Sequence, residues 1–269
     1  MKNLIAFGYY GGKNSKLNFI LPQLNTPHRK YVELCGGSAA VLLNKPQAEV
    51  EVLNDLSGEL ITFWRVLREQ PDALIRQIKL SPPGEAEFKR ILSLPPTDDD
   101  VENARRFFMR VTQTYACIPS GVNQMFYGGS CVLKKRANLD LVAERIRDVI
   151  VENSDAVRLI NRVETTIQSL RRTPVLFYAD PPYVDETRES LDIYIHDAFD
   201  HEKFLDAVLN APETCKFAIS GYNNDLYNNA LADWHRVEID VPLKAGNFGE
   251  KRTEVLWRNY PLTATARFL

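Results

Sequence analysis

The sequence predicts an α/β fold: a sheet with helices on both faces, interrupted by a mostly helical insertion. Strand, helix and strand patterns alternate at both ends of the chain, while the third strand of a plain doubly wound sheet fails to arrive within a few tens of residues of the second. With 269 residues and 45% apolar content, the chain is long enough for one large α/β domain carrying an insertion.

The segment "KYVELCGGSAAVLLNK" reads as a short strand (Tyr31 to Leu34), a glycine turn, and a helix from Ser38. "EVEVLND" then alternates as a second strand ending at Asp55, and "LSGELITFWRVLRE" continues as an amphipathic helix. From about Gln70 to Arg147 the pattern is helical and polar, broken by "SPPG" (Ser81 to Gly84), "LPPTDDD" (Leu94 to Asp100) and "IPSG" (Ile118 to Gly121). Strand-like "VIVENSD" resumes at Val149. "VLFYADPPY" follows a helix, and "CKFAISGY" (Cys215 to Tyr222) and "TEVLWRNY" (Thr253 to Tyr260) read as later strands. The expected boundaries are a first part of the sheet domain at 1–68, the insertion at 69–147 and a second part at 148–269.

The formal net charge of -2 gives no global attraction to a polyanion, so such a contact has to come from a local patch. Cys35, Cys117, Cys131 and Cys215 form no CxxC pair and the four histidines have no ligand spacing, which predicts reduced thiols and no metal. "MKNLIAFGYYGGK" has no long apolar stretch, and no run of about 18 apolar residues suggests a membrane span. A soluble, cytoplasmic protein without membrane contact is expected.

The glycine turn lies between a strand and a helix, where a ligand can approach the backbone and meet free N–H groups. The third glycine of a dinucleotide fingerprint is absent, since Ala39 and Ala40 stand there. Asp55, at the end of the next strand, suits both hydroxyls of a ribose or an N-cap. Asp155, beyond the third strand, suits an adenine amine or a cap. Three strand ends on one sheet edge form a ligand crevice, and together they favour an adenosine-type ligand.

"YADPPY", Tyr178 to Tyr183, ends a buried strand. Its two prolines cannot donate to a ladder, so the strand stops there and its last side chains project outward. The DPPY tetrapeptide arises by chance in a chain of this length with a probability on the order of one in a thousand. The lone pair of an aromatic amine such as adenine N6 is delocalised into the ring. A nucleophilic amine therefore needs acceptors on both hydrogens, which the Asp180 carboxylate and the Pro181 carbonyl can supply; the carboxylate also stabilises the charge that develops on nitrogen. Tyr183 can stack on a base that has left the helix.

In this order, "YYGGK" (Tyr9 to Lys13), "YVELCGGSAAVLL", "VLND", "VENSDA" and "YADPPY" resemble the Dam-like DNA adenine-N6 methyltransferases, especially phage-type members, from Tyr9 to about Tyr260. The resemblance implies a Rossmann-like methyltransferase sheet and a target-recognition role for the helical insertion. It also implies S-adenosylmethionine as cofactor and duplex DNA as substrate. Tyr9 and Lys13 would flank the methionine part, with Lys13 on its carboxylate. Glu33 with Gly36, Gly37 and Ser38 would hold the same end, Asp55 the ribose, and Asp155 with Ala156 the adenine. Asp180, Pro181, Pro182 and Tyr183 would grip the target base, Asp180 also bordering the cofactor. The glycine turn departs from the family's Pro-Phe-x-Gly-x-Gly form at Leu34, Cys35 and Ala39.

Between Asn103 and Leu139 stand six basic residues (Arg105, Arg106, Arg110, Lys134, Lys135 and Arg136) and no Asp or Glu. That segment is the expected DNA patch, the ordinary alternative being a solvated basic helix face. Tyr115, Asn123, Gln124, Phe126 and Tyr127 interleave polar and aromatic groups suited to base edges or to the space a flipped base leaves, with Asn123 and Gln124 the candidate base readers. Phe107 and Phe108 are expected in the core. The loop "KAGNFGEKR" (Lys244 to Arg252) would touch phosphates or form a long hairpin. The expected activity is a monomeric adenine-N6 DNA methyltransferase in a prokaryotic, phage or mobile-element setting such as restriction-modification. The alternatives are a catalytically weak or inactive DNA-binding protein on the same fold and a cytosine-N4 enzyme, which tends to carry Ser in place of Asp180. A cytosine-C5 enzyme needs a Pro-Cys nucleophile, and no Pro-Cys dipeptide occurs.

Overall fold

The computed structural model describes residues 3–114, 138–162, 174–182, 199–242 and 251–263. Strands β1 (Lys30–Glu33), β2 (Val50–Asn54), β3 (Ile150–Glu152), β4 (Val175–Ala179), β5 (Cys215–Tyr222), β6 (His235–Pro242) and β7 (Lys251–Arg258) form one sheet of order β3-β2-β1-β4-β5-β7-β6. The first five strands are parallel; β7 runs antiparallel to both β5 and β6. The order reverses between β1 and β4, so the connections after them leave in opposite directions and open a crevice at their carboxyl ends.

Strand alternation divides the core into two layers. Tyr31, Leu53, Leu176, Ala218 and Leu256 face one cluster, and Val32, Phe177, Phe217, Ile219 and Trp257 face the other. The buried β4 reads as a continuous apolar run because both of its faces are covered.

Helices cover both layers. On the first lie α1 (Leu17–Ile20), α2 (Ala40–Asn44), α3 (Gly58–Glu69), α4 (Pro71–Leu80), α5 (Glu85–Ser93), α6 (Asp100–Gln113) and α7 (Leu139–Ile146). On the second lie helical residues 156–162, α8 (His201–Leu209) and α9 (Asp225–Ala230). Pro71 opens α4 at a position where its missing N–H costs nothing, and Ser81 to Pro83 end it. Helix α6 begins at Asp99, whose carboxylate accepts from the N–H groups of Val101 at 2.9 Å and Glu102 at 3.2 Å.

One aromatic nest fixes the first layer. Phe7 meets Phe63 edge-on at 5.1 Å and Phe107 at 5.7 Å, and Phe63 stacks on Phe108 at 5.9 Å. All four rings are buried, each contributing about 1.5–3 kcal/mol of transfer free energy. Leu74, Ile78, Ile91, Phe107 and Val142 thus share a core with Tyr31 and Leu53 of the sheet. The described helices at 71–113, within the helical insertion expected over 69–147, therefore pack as a layer on the sheet and share its core.

Strand β6, absent from the sequence reading, forms an edge lined by Arg236, Glu238 and Asp240. Charges of this kind discourage pairing with another chain. Cys35 and Cys215 form no disulfide among the described residues. Cys117 and Cys131 lie outside the described residues. Among the described residues no helix is long and apolar enough to cross a membrane, and no group of three His, Cys, Asp or Glu is placed to hold a metal ion.

Candidate active site

The glycine turn after β1 is built from backbone because side chains do not fit. A Cβ on Gly36 would stand 2.4 Å from Leu53 Cδ1 and 3.0 Å from the Asn54 carbonyl. Gly37 has φ +49°, and a Cβ there would press on the Tyr9 ring at 3.2 Å. The turn is held from three sides. Gly36 N–H donates to the Asn54 carbonyl at 2.8 Å, Gly37 N–H donates to Asp55 Oδ2 at 2.9 Å, and Trp64 Nε1–H donates to the Gly37 carbonyl at 3.0 Å. Ala39, standing where the fingerprint has its last glycine, adopts the left-handed φ of +51°. That conformation is strained by roughly 1–2 kcal/mol in a residue with a Cβ.

Two neighbouring strand ends are tied to this turn. Asn54 donates to the Leu34 carbonyl at 2.8 Å and the Ser154 carbonyl at 2.9 Å, and it accepts from Ser154 N–H at 3.0 Å. One amide thus locks the ends of β1, β2 and β3 together. Asp55 also accepts from Ser57 N–H at 2.9 Å, and Asp155 accepts from Arg158 N–H at 3.0 Å as the cap of helical residues 156–162. Capping and ligand binding coexist readily in a carboxylate, which offers about four acceptor positions. Ala156, the first residue of that helix, is buried in the second layer.

The Cys35 thiol reports how closely these groups converge. Burial pushes it well above the usual thiol range, and Asp55, Asp180 and Asp155 push it further in that order. Three carboxylates separated by long stretches of sequence thus lie within electrostatic reach of one thiol.

Asp180 follows β4 directly. Its Oδ1 lies 2.5 Å from Lys13 Nζ and accepts from Ser220 Oγ at 3.2 Å; Ser220 Oγ is also 2.8 Å from the Tyr178 hydroxyl. Lys13 Nζ is 3.4 Å from Glu254 Oε1, and Lys16 pairs with Glu254 Oε2. The result is an alternating row of Asp180, Lys13, Glu254 and Lys16. Glu254 has 0% exposure and Lys13 3%, whereas the Asp180 side chain keeps 18% towards the crevice. Burial raises the Asp180 carboxyl above its ordinary value, with Lys13 opposing. Burial and the neighbouring Lys13 lower the Lys16 ammonium, with Glu254 opposing.

The structure thus brings together Tyr9, Lys13, Gly36, Gly37, Ser38, Asp55, Asp155, Ala156, Asp180, Pro181 and Pro182 at one sheet edge. Other expected residues are displaced from it. Glu33 does not face the crevice: strand alternation turns it to the side of Tyr31, where it is 2% exposed. It accepts from the Tyr31 hydroxyl at 2.7 Å and from Leu42 N–H at 2.8 Å, a structural post under α2, and burial lifts its pKa to about 8. Lys13 meets carboxylates of this chain, where a cofactor carboxylate was expected. Arg105, 5% exposed, is enclosed by Glu102, Glu87 and Ser81; Arg106 pairs with Glu102 and Arg110 with Glu59. These three arginines are not an open DNA patch, because their acidic partners come from outside the acid-free segment. Tyr183, Asn123, Gln124, Lys134, Lys135 and Arg136 lie outside the described residues.

Asn54, Trp64, Ser220, Lys16 and Glu254 escaped the sequence reading. Only Glu254 left a signal, a carboxylate inside the apolar run "EVLW".

A family model described as D12 class N6 adenine-specific DNA methyltransferase matches residues 9–241. No curated protein matches the chain. Among solved structures, an rRNA methyltransferase aviRa from Streptomyces viridochromogenes is similar at TM-score 0.41 and 12% identity, covering 91% of this chain and 83% of that one. A SAM-dependent methyltransferase from Agrobacterium tumefaciens is similar at TM-score 0.43 and 11% identity, covering 94% of this chain and 63% of that one.

Proposed function

Because this chain belongs to the D12 class N6 adenine-specific DNA methyltransferase family, we propose that Asp180 and Pro181 act on the target amine at the crevice between β1 and β4. The enzyme transfers a methyl group from S-adenosylmethionine to N6 of adenine in DNA. The observation that carries the residue assignment is the position of Asp180: the carboxylate is anchored through one oxygen by Lys13 and Ser220, beside a turn that only glycine backbone can form.

The crevice suits the cofactor by its own construction. Gly36 and Gly37 keep the floor free of side chains next to Tyr9 and Ser38, which fits the methionine end. Asp55 suits ribose hydroxyls in addition to the N–H groups it holds, and Asp155 with Ala156 borders the adenine end. When bound, S-adenosylmethionine supplies an electrophilic methyl carried on a sulfonium. Asp180 and the Pro181 carbonyl accept the two N6 hydrogens, localise the nitrogen lone pair and stabilise the charge that develops there. The excess proton leaves after transfer. Orientation supplies most of the acceleration, and no covalent enzyme intermediate is needed.

The substrate is read as duplex DNA whose adenine leaves the stack, with Tyr183 against its face and the segment at 115–137 contacting bases and phosphates. The protein acts as a cytoplasmic monomer, without a metal, in a prokaryotic, phage or mobile-element setting. Asp180→Ala tests the assignment: transfer of labelled methyl to unmethylated plasmid DNA should fall by roughly 10²–10³-fold or more, with DNA affinity little changed. Near-normal turnover would refute it. Tyr183→Ala should reduce the fluorescence rise of 2-aminopurine placed at the target adenine.

A further inference from the structure

We propose that Glu254 and Lys16 are positioning residues for methyl transfer, acting through Lys13 to fix the orientation and charge of Asp180. The inference rests on the reading that Asp180 accepts from the adenine amine. Glu254 comes from β7, the antiparallel strand inserted beside β5, and is paired in register with Tyr222. It cannot reach the crevice itself, being fully buried, yet its carboxylate is bracketed by both lysines. Lys13 bridges the two carboxylates, at 2.5 Å from Asp180 and 3.4 Å from Glu254. Lys13 Nζ also donates to the Gly11 carbonyl at 3.3 Å, and Glu254 is the second carboxylate that holds its ammonium in line with Asp180 Oδ1.

A row of four alternating charges sums to zero, which lets it be buried as a unit. Its members nevertheless act on Asp180 with opposite signs. Glu254 disfavours ionisation of Asp180, and Lys13 and Lys16 favour it. The other described groups around Asp180 are Ser220 from β5, Tyr178 from β4, and Glu33 and Cys35 at the end of β1. Lys13 and Lys16 are the cations within the row and Glu254 is their counterweight; Arg252 lies further out, over the Tyr222 ring that Lys16 also meets.

The test is the pH dependence of single-turnover methyl transfer to unmethylated plasmid DNA. Loss of activity towards acid reports protonation of the Asp180 carboxylate. Glu254→Gln leaves a net positive row and should move that acidic limb about one pH unit lower; Lys16→Met leaves a net negative row and should move it about one unit higher. The double variant should return the limb to within about half a unit of wild type. A merely structural pair would lower stability or rate without separating the limbs in opposite directions. Unmoved limbs, or shifts of one sign in both variants, would overturn the proposal. If Glu254→Gln does not fold, Lys16→Met alone decides: an upward shift supports the proposal, and an unchanged or downward limb rejects it. Asp180→Ala, run alongside, keeps the two readings apart. If that variant retains turnover, the role of Asp180 fails. If it is inactive while the limbs stay together, only the positioning role fails.

Discussion

Two buried charge clusters flank the first layer of the sheet, and they resolve the same problem in opposite ways. In the first, Glu51 of β2 binds Lys45 and, at 2.6 Å, Arg145 of α7. Its cations have further partners: Lys45 Nζ donates to the Pro46 carbonyl at 2.7 Å and Arg145 Nη2 to the Leu42 carbonyl at 2.5 Å, while Ala48 N–H donates to Glu51 at 3.2 Å. Burial pushes Glu51 upward, but Arg145 and Lys45 prevail and hold it below the usual carboxylate value. In the second cluster, burial prevails over Lys13 and Asp180 is raised. Glu254 Oε1 accepts no hydrogen bond there among the described residues. The closed cluster is saturated and makes its carboxylate more acidic. The open one is under-compensated and makes Asp180 a better proton acceptor, on the side that faces the crevice.

The comparison breaks most visibly at Glu51. Glu51→Gln leaves two buried cations against a neutral amide and should cost about 3–5 kcal/mol in urea unfolding. The molecules that remain folded should transfer methyl with the wild-type pH profile. A displaced acidic limb in Glu51→Gln would mean that the two clusters are one electrostatic unit.

Glu33 sharpens the contrast, because it is a buried carboxylate with hydrogen-bond donors and no cation in contact. Its pKa of about 8 lies above the unfolded 4.5, so the folded state holds a proton that the unfolded state releases. The stability contributed by that proton is complete below pH 4.5 and is lost as pH rises through about 8. Compared with Glu33→Gln, wild type should therefore lose about 1.4 kcal/mol per pH unit across this window, read by denaturation at a series of pH values. Parallel curves for the two proteins would place the proton elsewhere.

Arg105 belongs with the closed kind. Arg105→Met should lower stability by about 1–3 kcal/mol and leave the salt dependence of DNA binding unchanged. Replacing Lys134, Lys135 and Arg136 together by Ala should instead flatten that dependence, by about 0.9 log units per lost phosphate contact. An unchanged slope in the triple variant would redirect the search for phosphate contacts to Lys244 to Arg252. The smallest effect is expected at the turn. Ala39→Gly relieves the left-handed strain but loosens the unfolded chain, so its melting curve should shift by less than about 1 kcal/mol either way.

The class of chemistry was legible in the sequence because it depends on local covalent facts. Prolines end a strand, so "YADPPY" places Asp180 at a strand terminus; glycines permit a bare turn, so Gly36 and Gly37 mark the crevice floor. Alternating apolar runs set which strands are buried, and the family resemblance agrees with the match over residues 9–241. Strand β6 was missed although Arg236, Glu238 and Asp240 alternate with Val237, Ile239 and Val241 as a half-exposed edge strand does.

What the sequence by itself determined was the βαβ frame, the strand-end positions of Asp55, Asp155 and Asp180, and the target chemistry. Only the tertiary structure decided which charges meet. An acid-free stretch promised an open basic patch, yet Glu59 and Glu87 reach Arg110 and Arg105 from other helices. Glu33, implied for the site by the resemblance, is buried against Tyr31 and α2, while Glu254 entered the site's charge row from 74 residues beyond Asp180 because β7 inserts antiparallel beside β5. Periodicity fixes the face a side chain takes, and motif spacing fixes its distance from a strand end. Ion pairing depends on separations of a few ångströms between segments far apart in the chain, and these exist only once the layers have packed.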